Sequence, residues 1–517
     1  MSVKLKKEQL SLSEVVCSRY CQTTVDCDII VPDIKPDVLK VLRTSGEAVI
    51  TQKSIQADKV YLQGVIRLDI LYIPDGSALG SVKSISYSQD FSHTIDAKGA
   101  KQGMSLVAEV ECEGTDFSLV NSRKLNLRSK LGLSIKVSCT SQVQIATGIE
   151  DTAKVQTDSR HLKICNCCCE TERDIIIRER LEIPSGKPDL GEILRLSAKP
   201  VPGELRLLDN KVIVKGELKI CTLYCGCDED STIQCMEHGV PFTEILEVDG
   251  ISETMTAEAD YCIKDIYSEI CRDADGDKRI LSVEITLTAS IRATEIIECD
   301  AICDAYGLEA ELTLEKNPCS LEQLIETTRT QLTQKESVCV PDYLPDIQQI
   351  CDCTGTPNIE SITASDGCVT VSGYLSCNIL YMSPDRDTPI SGFSHVLPFS
   401  HTFDIPGVSE STVCDAKADL EHIAYTISSP RDLELRSIIL LSLKAMSPGS
   451  CQLVSEINYN TEASPSQLPQ MVVYFVQKGD SLWSIAKRYR ISPDQLLATN
   501  GSEKDFLKPG NKIYIFR

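Results

Sequence analysis

Cys165-Asn166-Cys167-Cys168-Cys169 is the densest run of metal-ligating side chains in the sequence. A structural zinc site takes four ligands, usually two Cys-x2–4-Cys pairs well separated along the chain. The nearest other pairs, Cys225-x-Cys227 and Cys351-x-Cys353, have the wrong spacing and are expected in turns of different repeats, so no metal site is expected. Carboxylates offer a second chemistry. In Pro32-Asp33-Ile34-Lys35-Pro36-Asp37 two carboxylates stand four residues apart, as an acid and base or a calcium site would need. The turn reading is favoured, because each Pro fixes φ and the following Asp supports a turn. A second copy of the pattern has Ser185 in place of the first Asp. His93 and His401 are the third candidates, each two residues beyond a Phe. A nucleophile needs such a base, but the two histidines occupy one repeated position, and Glu244 replaces them in the other copy. No Gly-x-Ser-x-Gly, His-Glu-x-x-His or phosphate-binding Gly loop is present. The residues therefore predict no enzyme, no catalytic residue and no cofactor.

These residues belong to a chain of 517, too long for one core and enough for three or four domains. One Trp and 5% aromatic content mean cores of Val, Ile and Leu. The formal charge of −23 excludes a phosphate-backbone reader, which needs a basic face, so no nucleic acid is expected. From Val472 onward eight Lys and Arg stand against four Asp and Glu, a net of +4, leaving −27 on residues 1–471. A basic module on an acidic body has three natural contacts: an anionic partner, an anionic membrane surface, or that body. The first residues, MSVKLKKEQLSLSEVV, lack the apolar run of a secretory signal, and no stretch of eighteen apolar residues occurs. The expectation is a cytoplasmic chain whose 25 cysteines are mostly free, buried thiols.

The positioning elements come in three copies. Val31-Pro32-Asp33-Ile34-Lys35-Pro36-Asp37 returns as Ile183-Pro184-Ser185-Gly186-Lys187-Pro188-Asp189 and as Val340-Pro341-Asp342-Tyr343-Leu344-Pro345-Asp346. Gly64, Gly216 and Gly373 each lie 28 residues beyond the second Pro, and Tyr72, Tyr224 and Tyr381 lie eight beyond the Gly. Around each Gly, apolar residues alternate with polar ones, as in Val60, Leu62, Ile66, Leu68, Ile70 and Tyr72, which is the period of a half-buried strand. Gly inside such a strand marks a bulge or a close backbone approach. Phe91, Phe242 and Phe399 then follow, and further strands run around Ala108, Ala257 and Ala416. The expected architecture is mainly β, with three tandem sandwich or open-barrel domains and a small βααβ domain behind them. The boundaries expected are an N-terminal extension at 1–28, repeats at 29–140, 181–293 and 338–447, connectors at 141–180 and 294–337, a flexible linker at 448–471 and a last domain at 472–517. A helix is expected over Leu321–Gln331 in the second connector, and the linker contains Ser464 to Gln470.

The last domain has a strand at Val472–Val476 and a helix that Asp480 can cap, with Leu482, Ile485, Ala486 and Tyr489 on one face. A second helix starts at Ser492-Pro493 with Gln495 completing a capping box and stops at Asn500-Gly501. Pro509-Gly510 then turns the chain into a strand at Lys512–Phe516. This pattern closely resembles a LysM module. The tripled unit resembles the SPOCS domain of bacterial spore-coat proteins, and the combination is similar to the SipL type of spore morphogenetic protein.

The LysM resemblance implies a ligand groove with Gly479, Asp480, Ser481 and Leu482 on one side and Ile491, Pro493, Asn500 and Gly501 on the other. Backbone groups free at two helix ends suit the acetamido groups of a glycan, and Trp483 and Tyr489 are the aromatic candidates for stacking on sugars. The SipL resemblance implies a non-catalytic scaffold in the mother-cell cytoplasm at the forespore surface, with the coat-basement ATPase SpoIVA as partner of the LysM module. A glycan-binding protein of the cortex or cell wall, or contact with a glycan precursor at a membrane, is the alternative. A wall hydrolase is the third reading, since LysM modules are often attached to such enzymes.

Overall fold

The structure is a computed structural model that describes residues 3–76, 80–150, 154–228, 232–460, 470–501 and 507–516. Each repeat holds six antiparallel strands. The first comprises β1 (Leu5–Ile30), β2 (Val38–Gln56), β3 (Lys59–Pro74), β4 (Lys83–Asp96), β5 (Ser105–Asn121) and β6 (Lys124–Ile149). The second comprises β7 (Val155–Glu182), β8 (Leu190–Leu208), β9 (Lys211–Gly226), β10 (Ile233–Glu247), β11 (Thr256–Cys271) and β12 (Ile280–Gly307). The third comprises β13 (Leu312–Cys339), β14 (Gln349–Ser365), β15 (Cys368–Met382), β16 (Ile390–Asp404), β17 (Val413–Ser429) and β18 (Asp432–Tyr459). In every copy the second, third and fourth strands form one sheet and the first, sixth and fifth form the other. The two sheets enclose a core of their inward-facing residues. The alternation around Gly64 is seen directly, with Val60, Leu62, Ile66, Leu68, Ile70 and Tyr72 all at most 1% exposed. Each such side chain contributes about 1.5–3 kcal/mol by leaving water.

The constant offsets now have causes. A Cβ on Gly64, Gly216 or Gly373 would lie 2.5, 2.5 or 2.9 Å from the ring of Phe91, Phe242 or Phe399 and no farther than 2.9 Å from a carbonyl oxygen of the neighbouring strand. The Gly and the Phe are thus one unit: the missing side chain is the space the ring fills. Opposite each Gly the neighbouring strand shifts register, after Ile50, Pro202 and Ile359, so the bulge lies on the partner strand. The hydroxyls of Tyr72, Tyr224 and Tyr381 donate to the carbonyls of Pro36, Pro188 and Pro345 at 3.1, 3.0 and 2.7 Å.

The paired carboxylates prove to be architecture. Arg123, Arg279 and Arg431 each donate to the second Asp, at 2.6 Å to Asp37, 2.9 Å to Asp189 and 2.9 Å to Asp346. The other guanidinium arm donates to the two carbonyls that open the loop, Val31 and Pro32, Ile183 and Pro184, or Val340 and Pro341. The first Asp sits in solvent with an ion pair to the Arg of only 3.4 Å at Asp33 and 3.9 Å at Asp342. Little is lost when that position becomes Ser185.

Several expectations change. Leu321–Gln331 lies in β13 and is strand, not helix. The stretches read as extension and connectors are the long strands β1, β6, β7, β12, β13 and β18, which complete the sandwiches and then run on beyond them. The intended linker 448–471 begins as the end of β18, and Ser464 to Pro469 lies outside the described residues. Cys225, Cys351 and Cys353 lie in strands rather than turns. The reason is not local: residues in these stretches pair with partners far along the chain, which no short-range pattern reports.

The repeats pack together. Beyond the sandwiches the three long-strand ribbons share apolar clusters, among them Val3, Ala146, Val155, Ile302, Val454 and Ile457, and Leu10, Leu162, Ile164 and Leu453. Near the other end Leu71 and Val82 of the first repeat, Leu194, Leu223, Cys225 and Cys235 of the second, and Cys351, Leu380 and Ile390 of the third form a common core. Ionic contacts join every pair of repeats, including Lys83 to Glu192 at 2.7 Å, Arg195 to Asp352 at 3.3 Å and Lys136 to Asp415 at 2.7 Å. The −27 body is therefore a closed three-repeat ring rather than a string of beads.

Candidate functional site

The last domain is built from a hairpin of β19 (Met471–Phe475) and β20 (Lys512–Phe516) with α1 (Leu482–Tyr489) and α2 (Pro493–Asn500) between them. Ser481, not Asp480, caps α1: its hydroxyl accepts from the Ser484 N–H at 3.1 Å while the Ser484 hydroxyl accepts from the Ser481 N–H at 2.9 Å. Ser492 caps α2 with Pro493 in the first turn, and Gly501 ends it at φ 91°. The buried side of the domain contains Val476, Ile485, Ala486, Ile491, Leu496, Ile513 and Ile515. Ile485 is therefore core.

The eight expected groove residues divide. Gly479, Ser481 and Gly501 are exposed, and a side chain added at Gly479 or Gly501 would meet open space. Leu482 and Pro493 are half-buried. Asp480 is turned inward, accepting from the Gln477 N–H at 2.8 Å and the Tyr474 hydroxyl at 2.7 Å. The Gln477 and Tyr474 hydrogen bonds hold its carboxyl below the ordinary range. Asn500 staples α2 to β20, accepting from the Tyr514 N–H and donating to the Tyr514 carbonyl, both at 2.7 Å. Ile491 is buried, and its carbonyl is taken by another part of the molecule.

That other part is the tip of β12. The Tyr306 hydroxyl donates to the Ile491 carbonyl at 2.6 Å, and its ring meets Trp483 edge to face at 4.8 Å. Asp304 accepts from the Trp483 indole at 2.9 Å, from Lys487 at 2.5 Å and from Lys316 at 3.2 Å. Burial works against the Asp304 charge, but the Lys487, Trp483 and Lys316 hydrogen bonds outweigh it and hold the carboxyl below its ordinary range. Arg490 adds an ion pair to Glu311 at 3.5 Å. The basic module therefore meets the acidic body, one of the three contacts its charge allows. Trp483 takes part in this dock, and Tyr489, half-buried, packs on Tyr474 at 5.8 Å. Asp304 and Tyr306 lie in a stretch read as connector. The available signal was that Tyr306 is the sole aromatic between residues 294 and 337.

A second surface was also missed. The hairpin's inner face packs on the helices, while Met471, Val473, Phe475, Tyr514 and Phe516 stand 39–55% exposed on the outer face. In a two-stranded sheet only one face is covered, and this sequence makes both faces apolar.

The remaining candidates do not assemble. Cys165 to Cys169 lie along β7 opposite β12, with a register shift beside Cys168. Among the described residues no group of three His, Cys, Asp or Glu is placed to hold a metal ion. His401 lies edge to face on Phe403 at 4.7 Å, and His93 faces Leu62 across the ladder. Among the described residues no helix is long and apolar enough to cross a membrane.

Comparison with known proteins places these elements. The family described as "SipL, SPOCS domain" matches residues 37–120, 189–271 and 346–428, and the LysM domain family matches residues 474–516. The SipL matches cover the second to fifth strand of each repeat and leave out the two long strands that form the ribbons. No curated protein and no solved structure matches the chain. The chain is a SipL-type protein, with three SPOCS domains followed by a C-terminal LysM domain.

Proposed function

We propose that the chain is a non-catalytic adaptor in endospore coat assembly whose LysM domain, held at the tip of the second repeat, offers its hairpin face to a coat morphogenetic protein. The SipL and LysM matches support a scaffold in the coat context. The observation that carries the finer reading is the outer hairpin face, with Met471, Val473, Phe475, Tyr514 and Phe516 exposed together on one small sheet. Exposed apolar clusters of this kind mark protein contacts. The coat-basement ATPase of the SpoIVA type is the partner proposed, acting at the forespore surface of the mother cell. Docking onto the body fixes the direction in which the face points and spares the partner the cost of ordering a loose module.

Pulldown of the ATPase by the full chain, its Phe475→Asp and Tyr514→Asp variants, and a Gly479→Trp variant tests this. Loss of the aspartate variants' recovery by about tenfold, equivalent to about 1.4 kcal/mol, is the expected result. Equal recovery by all variants removes the LysM domain from the contact. Loss with Gly479→Trp alone moves the contact to the groove, and cosedimentation with peptidoglycan that Gly479→Trp abolishes replaces the reading with a glycan binder.

A further inference from the structure

We propose that Cys235 and Cys351 form an oxidation site at which a hydroperoxide joins the second and third repeats through a disulfide. The two thiols come from different repeats and meet in the core shared by all three. The Cys235 sulfur lies 3.9 Å from the Ile350 carbonyl oxygen and accepts from the Gln349 amide at 3.1 Å, so it is held against the strand that carries Cys351. Cys351 follows Ile350 directly on that strand, and both cysteines lie in the same buried cluster. Cys235 is 7% and Cys351 9% exposed, so a reagent that reaches them must be as small as hydrogen peroxide.

The pair is asymmetric. Contact with Cys351 pulls the Cys235 thiol down against its burial, with the Lys187 ammonium assisting. The Lys187 ammonium also donates to the Cys235 carbonyl at 2.6 Å. The same contact and burial push Cys351 up. Cys235, whose sulfur accepts from the Gln349 amide and whose carbonyl holds the Lys187 ammonium, is thus the attacking thiol and Cys351 the resolving one. A third thiol, Cys221, donates to the Cys351 carbonyl at 3.1 Å, and burial pushes it up as well.

The chemistry balances. The Cys235 thiolate attacks one peroxide oxygen, the O–O bond breaks, and the departing hydroxide takes a proton to leave as water. The sulfur of Cys351 then attacks the sulfenic sulfur of Cys235, the S–O bond breaks, and the hydroxyl leaves as water with the Cys351 proton. Two thiols and one hydrogen peroxide become one disulfide and two waters, the thiols giving up two electrons to the peroxide.

Asp-N cleavage leaves Cys235 on residues 230–248 and Cys351 on residues 346–351, with no other cysteine on either peptide. The full chain, with and without hydrogen peroxide, is denatured in an alkylating agent, cleaved and mapped by mass spectrometry without reduction. Joining of these two peptides in most of the peroxide-treated chains supports the proposal. So does a dimedone adduct on Cys235 in the Cys351→Ser variant that is absent from Cys351 in Cys235→Ser. Alkylation of both thiols at a dose that oxidises the exposed Cys262 overturns it, as does a Cys221–Cys351 link. The wild-type map decides by itself should either variant fail to fold.

Discussion

Two kinds of carboxylate clamp organise this molecule, and they differ in how they were made. Beneath each Pro-Asp loop an Arg holds Asp37, Asp189 or Asp346, within one repeat and three times over. Under the LysM domain Asp304 of the second repeat gathers Trp483 and Lys487 of the LysM domain and Lys316 of the third repeat, joining three domains at one carboxylate. The loop clamps stand at the surface, their carboxylates 33–49% exposed, where solvent screens the pair and the backbone hydrogen bonds matter more than the charge. Asp304 is 18% exposed and sits beside a buried Tyr306, so its pairings are stronger and its loss dearer. A repeated clamp tolerates failure of one copy, whereas a unique one sets the position of a whole domain.

The difference is broken most severely at Tyr306. Tyr306→Ala removes a buried aromatic, which costs about 3–5 kcal/mol. The expected outcome is release of the LysM domain, read as faster hydrogen exchange over residues 482–491 with the unfolding of the repeats unchanged. Equal slowing or loosening of both regions would show that dock and ring are one cooperative unit.

Acid tests the charge of the same clamp. The docked Asp304 carboxyl titrates below its ordinary value of 3.8, so its contribution is fully present above that value and is lost as pH falls through the lower, docked one. Exchange over residues 482–491 should therefore rise below about pH 4 in the wild type. An Asp304→Asn variant should show raised exchange already at neutral pH and a flatter acid response. An identical acid profile in the two proteins would assign the pH effect to other carboxylates.

A loop clamp should cost less. Arg431→Ala leaves Asp346 and three carbonyls without their partner in a half-exposed setting, and a loss of about 1–2 kcal/mol in the third repeat is expected by denaturant unfolding. The smallest effect belongs to Asp342→Ser, which reproduces the residue already present at Ser185 and should stay within about 0.5 kcal/mol. A larger loss there would mean that the first Asp does more than the exposed 3.9 Å pair shows.

Much of the repeat was legible because its constraints are local or recur. Gly64, Gly216 and Gly373 announced a close approach, and the Phe that makes it was already visible as a repeated residue. The Arg of the loop clamp could also have been found, since Arg123-x-Leu125, Arg279-x-Leu281 and Arg431-x-Leu433 open the last strand of every copy. The long strands were not legible. β13 pairs with β18 across more than a hundred residues, and helix-permitting residues such as Leu321 to Gln331 take strand form because a partner strand is there. Of the groove residues expected from the LysM resemblance, Gly479, Ser481 and Gly501 lie open, while Asp480 and Asn500 are occupied by internal hydrogen bonds. Spacing names the position of a residue in a module, but the direction of its side chain depends on what surrounds it.

The sequence by itself determined three copies of a β unit, the Gly, Tyr and Pro-Asp positions that shape each copy, and a βααβ module of opposite charge behind them. These follow from periodicity and fixed offsets, which act over a few residues or repeat. Only the tertiary structure decided that the copies close into a ring, that ribbons extend beyond the sandwiches, and that Asp304 and Tyr306 seat the last domain. It also decided that Cys235 and Cys351 face each other across two repeats. Such contacts join residues far apart in the chain and occur once, so packing reports them and pattern does not.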